Sequence, residues 1–180
     1  MHISKILAEY AKNLEYGDLS ERCINEAKRR LIDSLGCGIG TYNEESIRYI
    51  RQLSSVFSNP EGATILGTRI KVSPDYAAFS NGYAIRYLDW NDTYLSLEPA
   101  HPSDNISGIL AIGETERSSG KEILLSIVLA YEIQCRLCDI ASLRSKGWDH
   151  VNYLLISSVL AISKLMNLSL EKMEESVKIV

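Results

Sequence analysis

Apolar residues recur at spacings of three and four along almost the whole of this 180-residue sequence. This periodicity constrains the fold more than any other feature, because it is typical of amphipathic α-helices that each bury one face. We expect helices over residues 3–14, 21–35, 43–57, 74–88, 103–112, 121–141, 150–166 and from about 169 onward. The sequence therefore predicts a multi-helix, all-α fold.

Two short segments depart from the helical pattern. Residues 63–66 and 70–72 are joined by Gly67-Thr68-Arg69, and this composition is typical of a short β-hairpin. Residues 36–40 carry three alternating glycines, which resemble part of a dinucleotide-binding turn. Since no strand pattern precedes these glycines and no helix pattern opens directly after them, close packing between helices is the favoured interpretation.

Composition and charge limit the class of protein. Hydrophobic residues make up 46% of the chain, which predicts one globular unit over residues 1–180 without an internal boundary. The 19 basic residues are outnumbered by 23 acidic ones and are too scattered to follow a phosphate backbone, so no nucleic acid is expected. The longest uncharged apolar stretches, residues 123–131 and 151–163, are shorter than the roughly 18 to 20 residues of a bilayer span. With no membrane partner and no secretory signal, the expected compartment is the cytoplasm.

The cysteines and histidines offer little material for a metal centre. Cys135 and Cys138 have the CxxC spacing, but they lie within an apolar helical pattern and lack a second CxxC or a nearby histidine pair. Reduced thiols in the core are therefore favoured over a metal or redox site. The whole chain contains three histidines, and no metal is expected.

The segment from Leu88 to Asn105 is the strongest candidate for chemistry. Its eighteen residues include four carboxylates, one histidine, three aliphatic hydroxyls and two side-chain amides, and it lies between two apolar helical patterns. His101 stands just before Ser103, the predicted N-cap of the next helix, where the positive helix end favours a bound anion and a neutral imidazole. A turn histidine bonded to backbone is the open alternative for His101. His150, at the start of another helix, has a structural role as its alternative.

Several linked motifs resemble those of the MmgE/PrpD family. The resemblance rests mainly on residues 75–82, 87–93, 101–105 and 108–114, with further support from residues 30–37, 131–134 and 148–150. It runs in order from about residue 3 to the end. It implies a large all-α domain followed by a smaller α+β lid domain, in a protein considerably longer than this chain. We therefore expect residues 1–180 to be the N-terminal part of the all-α domain without the lid, and the apolar end at Val180 favours a truncated chain.

The resemblance also implies an activity. Glu98 shortly before His101, together with the full string His-Pro-Ser-Asp-Asn over residues 101–105, is more similar to the branch that dehydrates 2-methylcitrate than to the cis-aconitate decarboxylase branch. The implied reaction is a metal-independent, cofactor-free dehydration of a tricarboxylate in propionate breakdown, carried out by a cytoplasmic homodimer. Decarboxylation of cis-aconitate, isomerisation of a related polycarboxylate, and a non-catalytic helical binding module are the alternatives. The 180 residues alone are expected to be inactive.

The same resemblance assigns the site residues. Catalytic roles are implied for Asp89, His101 and His150, and substrate binding for Thr93 and Ser103. Asp89 would act as the base or orient His101, and its alternative is a solvated carboxylate at a helix end. If the helix persists to this point, Asp89 and Thr93, four residues apart, face the same side.

Other polar residues near the segment are interpreted as structural. Asn91 and Asp92 are expected to tie the loop to itself, and Asp104 to lie favourably at a helix start. Arg86 and Lys146 are possible partners for an anion, but solvated surface is the favoured interpretation for both.

Overall fold

The helical periodicity of the sequence is reproduced in the three-dimensional structure, a computed structural model that describes residues 2–180. The elements are α1 (Ile3–Asn13), α2 (Glu21–Gly40), α3 (Glu45–Ser55), β1 (Ser58–Thr64), β2 (Lys71–Val72), α4 (Pro74–Arg86), α5 (Asp104–Thr115), α6 (Gly120–Ile140), α7 (Val151–Leu165) and α8 (Leu170–Ile179). The predicted all-α class with one short hairpin is confirmed. Within residues 2–180, every helix is too short or too polar to serve as a membrane span.

Helices α6 and α7 form the centre of the molecule, because both contribute to two adjacent apolar cores. The first core joins them to α2 and α5 through Ala27, Ile106, Ile109, Leu124, Ile127, Ala130 and Ala161. The second joins them to α1 and α8 through Ala8, Ala11, Leu129, Ile133, Leu160 and Met173. Burying such apolar area is the main source of stability, and it fixes α5, α6 and α7 as a rigid frame for the connecting loops.

Serine caps define three helix starts at the predicted places. The hydroxyls of Ser20, Ser119 and Ser169 each accept a hydrogen bond from a backbone N–H in the first turn of the helix that follows. At α6 the Glu122 side chain also accepts from the Ser119 N–H at 2.6 Å, which completes a capping box. These bonds satisfy N–H groups that have no partner inside the helix.

The glycine run at residues 36–40 lies inside α2 and allows a close approach between helices. A Cβ atom on Gly38 would lie 3.1 Å from the Leu66 side chain and 3.3 Å from the Ile85 side chain, which is tighter than ordinary contact. The segment is helical and not a phosphate-binding turn. The prediction of close helix packing is confirmed.

The hairpin begins earlier than predicted. Strand β1 takes up residues 58–64, whereas the predicted strand began at residue 63, and it pairs with β2 through an irregular register. The hairpin is fastened to α5 by Glu114, whose carboxylate accepts from the Thr64 N–H and hydroxyl, both at 2.7 Å, and lies 3.0 Å from Lys71 Nζ. Bonds to this charged group fix the hairpin register.

All four cysteines are free thiols. Cys138 is fully buried in a small core with Ala100 and Tyr153, and this core ties the loop after α4 to α6 and α7. Burial is the main cause that raises the pKa of Cys138 to about 11 and that of Cys135 to about 12. Both groups are therefore neutral thiols at physiological pH, as expected for core cysteines.

Candidate functional site

The loop of residues 87–103, which we call the site loop, connects α4 to α5 and is held at several points. Tyr94 and Ala100 pair across it through two backbone hydrogen bonds of 2.8 and 3.0 Å. The Tyr94 and Ser96 hydroxyls donate to Asp139 Oδ1 on α6 at 2.8 and 2.6 Å. The loop therefore has a defined shape and presents its side chains from fixed positions.

An inner cluster of polar side chains, Asn91, Asp92, Ser103 and Asn105, faces the helices. The Asn91 amide donates to Ser103 Oγ at 2.9 Å, and the two carboxylate oxygens of Asp92 accept from the Ser103 N–H at 3.0 Å and from the Tyr131 hydroxyl at 2.7 Å. These bonds confirm that Asn91 and Asp92 tie the loop to itself.

The Ser103 side chain has neither of its two predicted roles, which were to cap α5 and to contact the substrate. It occupies the N-cap position of α5, but its side chain makes no capping hydrogen bond, and its hydroxyl instead accepts from the Asn91 amide. The carboxylate of Asp92, bonded to the Ser103 N–H, takes the place of the expected cap. Only 1% of Ser103 is exposed, so the predicted substrate contact is not open to it in this conformation.

Asn105 joins three helices from a fully buried position. Its amide donates to Gln134 Oε1 at 2.6 Å and to the Pro102 carbonyl at 2.9 Å, and its carbonyl oxygen accepts from Ser157 and Ser158 at 2.9 and 2.7 Å. Each polar atom of this side chain thus has partners, as a buried amide requires. Asn105 belongs to the scaffold.

An outer cluster, consisting of Asp89, Thr93, His101 and His150, stands on the other side of the loop. His101 Nδ1 lies 2.7 Å from the carbonyl oxygen of Asp92 and 3.5 Å from Thr93 Oγ1. Because a carbonyl oxygen only accepts, Nδ1 must carry the proton, and Nε2 of a neutral His101 keeps its lone pair. The backbone contact proposed as the alternative for His101 is therefore present, and it leaves a basic nitrogen free for chemistry.

His150 comes to the same place from a distant part of the chain. It is the N-cap residue of α7, and its ring centroid lies 5.9 Å from that of His101 at an angle of 61°. Its Nδ1 is 3.0 Å from Asp149 Oδ1, so a carboxylate stands beside the ring. The structural alternative for His150 is met in part, since the residue does start a helix. The fold nevertheless brings the two predicted histidines together.

Asp89 is placed by a turn and not by a helix. Helix α4 ends at Arg86, and Asp89 adopts a left-handed backbone conformation with φ of 57°. The expectation that a continuing helix aligns Asp89 with Thr93 is therefore wrong. A hydrogen bond from Arg86 and the charge of its guanidinium lower the pKa of Asp89, which makes this exposed carboxylate a weak base at neutral pH.

Arg86 makes closer contacts with the outer cluster and with Asp104 than the sequence predicted. Arg86 is not simply solvated, because its guanidinium pairs with Asp89 and lies 3.4 Å from Asn91 Oδ1 and 3.9 Å from Asp104 Oδ1. Burial raises the pKa of Asp104, although Arg86 and His101 oppose that shift. The available signal was the three-residue spacing from Arg86 to Asp89 across the end of a helix. Lys146 is exposed, as predicted.

A mainly apolar cleft borders the site loop. It has a volume of about 340 Å³ and is lined by Arg30, Asp92, Thr93, Tyr131 and Cys135 among others. Neither histidine of the outer cluster lines this cleft. The two imidazoles, whose ring centroids lie 5.9 Å apart, thus stand outside this cleft, whereas Thr93 belongs to both the outer cluster and the cleft lining.

The fold is thus a multi-helix domain in which a loop and the start of a distant helix bring two histidines together. The chain matches the MmgE/PrpD N-terminal domain family over residues 5–180. It belongs to the MmgE/PrpD family.

Named relatives include two kinds of lyase. The chain is 33% identical to the "Probable 2-methylcitrate dehydratase" of Saccharomyces cerevisiae, covering 96% of this chain and 36% of that protein. It is 30% identical to the 2-methylcitrate dehydratase of Escherichia coli, covering 96% and 38%. It is 31% identical to the human cis-aconitate decarboxylase, covering 98% and 38%. The chain thus spans well under half the length of the curated relatives it matches.

Proposed function

We propose that this chain provides the histidine-bearing half of a hydro-lyase that dehydrates 2-methylcitrate to 2-methyl-cis-aconitate in propionate breakdown. The observation that carries the proposal is the approach of His101 and His150, two rings from distant parts of the chain whose centroids lie 5.9 Å apart. The names of the yeast and bacterial relatives support the choice of substrate.

Dehydration requires two proton transfers, and the two histidines suit different ones. A proton must leave the carbon beside a carboxylate, and another must reach the departing hydroxyl, which is released as water. Nε2 of neutral His101 can accept the first proton, because Nδ1–H is held by the Asp92 carbonyl. In this proposal His150, whose Nδ1 lies 3.0 Å from Asp149 Oδ1, donates the second. Thr93 would donate a hydrogen bond to the substrate, and no metal or other cofactor takes part.

We further propose that the 180 residues bind the substrate without turning it over, because local charge indicates that the site is incomplete. A tricarboxylate needs cations around it. In the part of the chain that the structure describes, Arg86 is the cation in contact with the outer cluster, and it already pairs with Asp89 and approaches Asp104. In this proposal, additional positive groups come from outside residues 1–180.

The test is an assay of the 180-residue chain beside the protein from the complete reading frame. We expect the longer protein to form the unsaturated tricarboxylate from 2-methylcitrate, with undiminished activity after treatment with a chelator. His101→Gln should lower turnover at least about a hundredfold, whereas His2→Gln, a change at an exposed histidine outside the site, should leave it unchanged. Failure of the longer protein to form this product would contradict the dehydratase assignment, and equal specific activity of both proteins would contradict the incomplete site.

Decarboxylation of cis-aconitate is the second candidate, favoured by the identity to the human decarboxylase. Release of carbon dioxide from cis-aconitate, without dehydration of 2-methylcitrate, would decide for it. If the longer protein binds both substrates but converts neither, the result favours a binding module without catalysis.

A homodimer in the cytoplasm is part of the same proposal. A row of half-exposed aromatic rings supports it, with Phe79 and Tyr83 on α4 and Tyr87 just after its end, since such surfaces are common in subunit contacts. The molar mass in solution, measured by light scattering, tests the dimer. A monomer at all concentrations would contradict it.

A further inference from the structure

Glu98 is a fully buried carboxylate between the two segments that carry the histidines. It belongs to the site loop, and its Oε2 accepts from the Ser142 hydroxyl at 2.8 Å and from the Arg144 N–H at 3.1 Å. Its Oε1 lies 3.0 Å from Arg144 Nε, and its own N–H donates to the Cys138 carbonyl at 3.0 Å. Glu98 therefore connects the site loop to the turn that follows α6.

That turn leads directly to His150. Within the turn, the Leu143 carbonyl accepts hydrogen bonds from the N–H groups of Lys146 and Trp148 at 2.8 and 3.1 Å. Most residues from 144 to 149 are exposed, so the turn has little apolar packing of its own apart from Leu143. A segment with so little apolar packing is held in position by a few polar contacts. Of these contacts, the one with the Glu98 carboxylate is buried.

The carboxylate is held in its charged form. Burial by itself would raise the pKa of Glu98, but the Arg144 N–H, the Ser142 hydroxyl and the Arg144 guanidinium outweigh it and lower the pKa. Two hydrogen bonds to Oε2 and the ion pair between Oε1 and Arg144 compensate for burial of the charge. The turn and the loop are thus joined by a directional, charge-assisted contact.

We infer that Glu98 is a positioning residue, which sets the separation between His101 and His150 by fixing the turn at residues 142–144 to the site loop. The geometric part stands on the structure alone, and the part concerning turnover rests on the proposed function. Glu98 touches neither ring, so its effect on them is transmitted through the turn.

Glu98→Gln tests the inference, with Asp139→Asn as the matched control. The glutamine keeps the size of the side chain but loses the charge that pairs with Arg144. Asp139 is another carboxylate that anchors the site loop to α6, through Tyr94 and Ser96, and its contacts do not include residues 142–144. Comparing the two variants separates loss of the turn anchor from general loosening of the loop.

Nuclear magnetic resonance of the imidazole groups gives the readout, with His2 as internal reference. In the unmodified chain we expect nuclear Overhauser contacts between the His101 and His150 rings and a protonated Nδ1 in His101. Glu98→Gln should remove the contacts between the rings and keep the His101 tautomer, whereas Asp139→Asn should keep both. Retention of the ring contacts in Glu98→Gln would overturn the inference, and so would their loss together with the His101 tautomer.

A second variant and a kinetic arm complete the test. If Glu98→Gln does not fold, Arg144→Gln replaces it, because the Arg144 side chain is 62% exposed and its loss removes the same charge pairing. In an active protein, kcat should fall about tenfold to a hundredfold with little change in KM, since a small displacement of a catalytic group has effects of that size. An inactive unmodified protein would contradict the proposed function and leave the resonance result to decide on Glu98.

Discussion

The inner and outer clusters of the site loop differ in how fully their polar atoms are bonded, although they draw on similar residue types. In the inner cluster, Asn105 is buried and each polar atom of its side chain has a partner. In the outer cluster, His101 uses one ring nitrogen to hold its orientation and leaves the other without such a contact. A side chain whose polar atoms are all hydrogen-bonded serves the scaffold. An oriented side chain with an unbonded nitrogen is able to react with a substrate.

This difference predicts opposite responses to substitution. Changes in the inner cluster should lower the free energy of unfolding, while changes in the outer cluster should leave it nearly unchanged and act on binding and turnover. The changes below run from the largest expected effect on the free energy of unfolding to the smallest.

Asn105→Ala should have the largest effect. It leaves the Gln134, Ser157 and Ser158 groups around a buried cavity without their partner, which should lower the free energy of unfolding by about 3 kcal/mol. Urea denaturation measures the change. Asn25→Ala, on the exposed face of α2, is the control and should change stability by less than about 0.5 kcal/mol. Similar values for the two variants would show that Asn105 is not part of the scaffold.

Tyr131→Phe should have an intermediate effect. It removes the hydroxyl that donates to Asp92 at 2.7 Å and leaves that carboxylate with one fewer donor, at an expected loss of about 1–2 kcal/mol. Tyr49→Phe, at an exposed tyrosine of α3, should cost less than about 0.5 kcal/mol in the same denaturation experiment. A stability equal to that of the unmodified chain would place Asp92 outside the inner cluster.

His101→Gln should scarcely change stability. The residue is only half-buried, so we expect a loss below about 0.5 kcal/mol. Turnover by the longer protein should nevertheless fall at least about a hundredfold, the usual contribution of a general base. A large loss of stability with normal turnover would reverse the assignment of His101.

The smallest expected effect on the free energy of unfolding is that of the Glu98 charge, which acidification removes. Because the pKa of Glu98 is lowered in the folded chain, its charge stabilises the fold above the ordinary glutamate pKa of about 4.3, and this contribution is lost as the pH falls through the lowered value. The difference in free energy of unfolding between the unmodified chain and Glu98→Gln should therefore shrink below about pH 4. A constant difference from neutral to acidic pH would contradict the lowered pKa.

Most of the fold could be predicted from the sequence, because helical periodicity, serine caps and glycine positions are local signals. The ends of α3 and α4 were predicted about two residues too late, since turn geometry and strand pairing override a weak helical preference there. The hairpin was placed correctly, but its first strand was predicted to begin too late in the chain.

The candidate site could be predicted only as a set of residues. The motifs did not reveal that Arg86 folds back on Asp89, that Ser103 is buried, or that a backbone carbonyl fixes the tautomer of His101. Each of these depends on the path of the site loop in three dimensions. Asn105 stands in the same motif as His101, and only burial separates the scaffold from the reactive group.

Titration of the chain with 2-methylcitrate, followed by the imidazole resonances, tests the central claim most directly. The chain has three histidines, and His2 lies outside the outer cluster and serves as the internal control. If the outer cluster is a tricarboxylate site, the His101 and His150 resonances shift together and reach saturation, while those of His2 stay in place. Equal shifts of all three, or none, would contradict it.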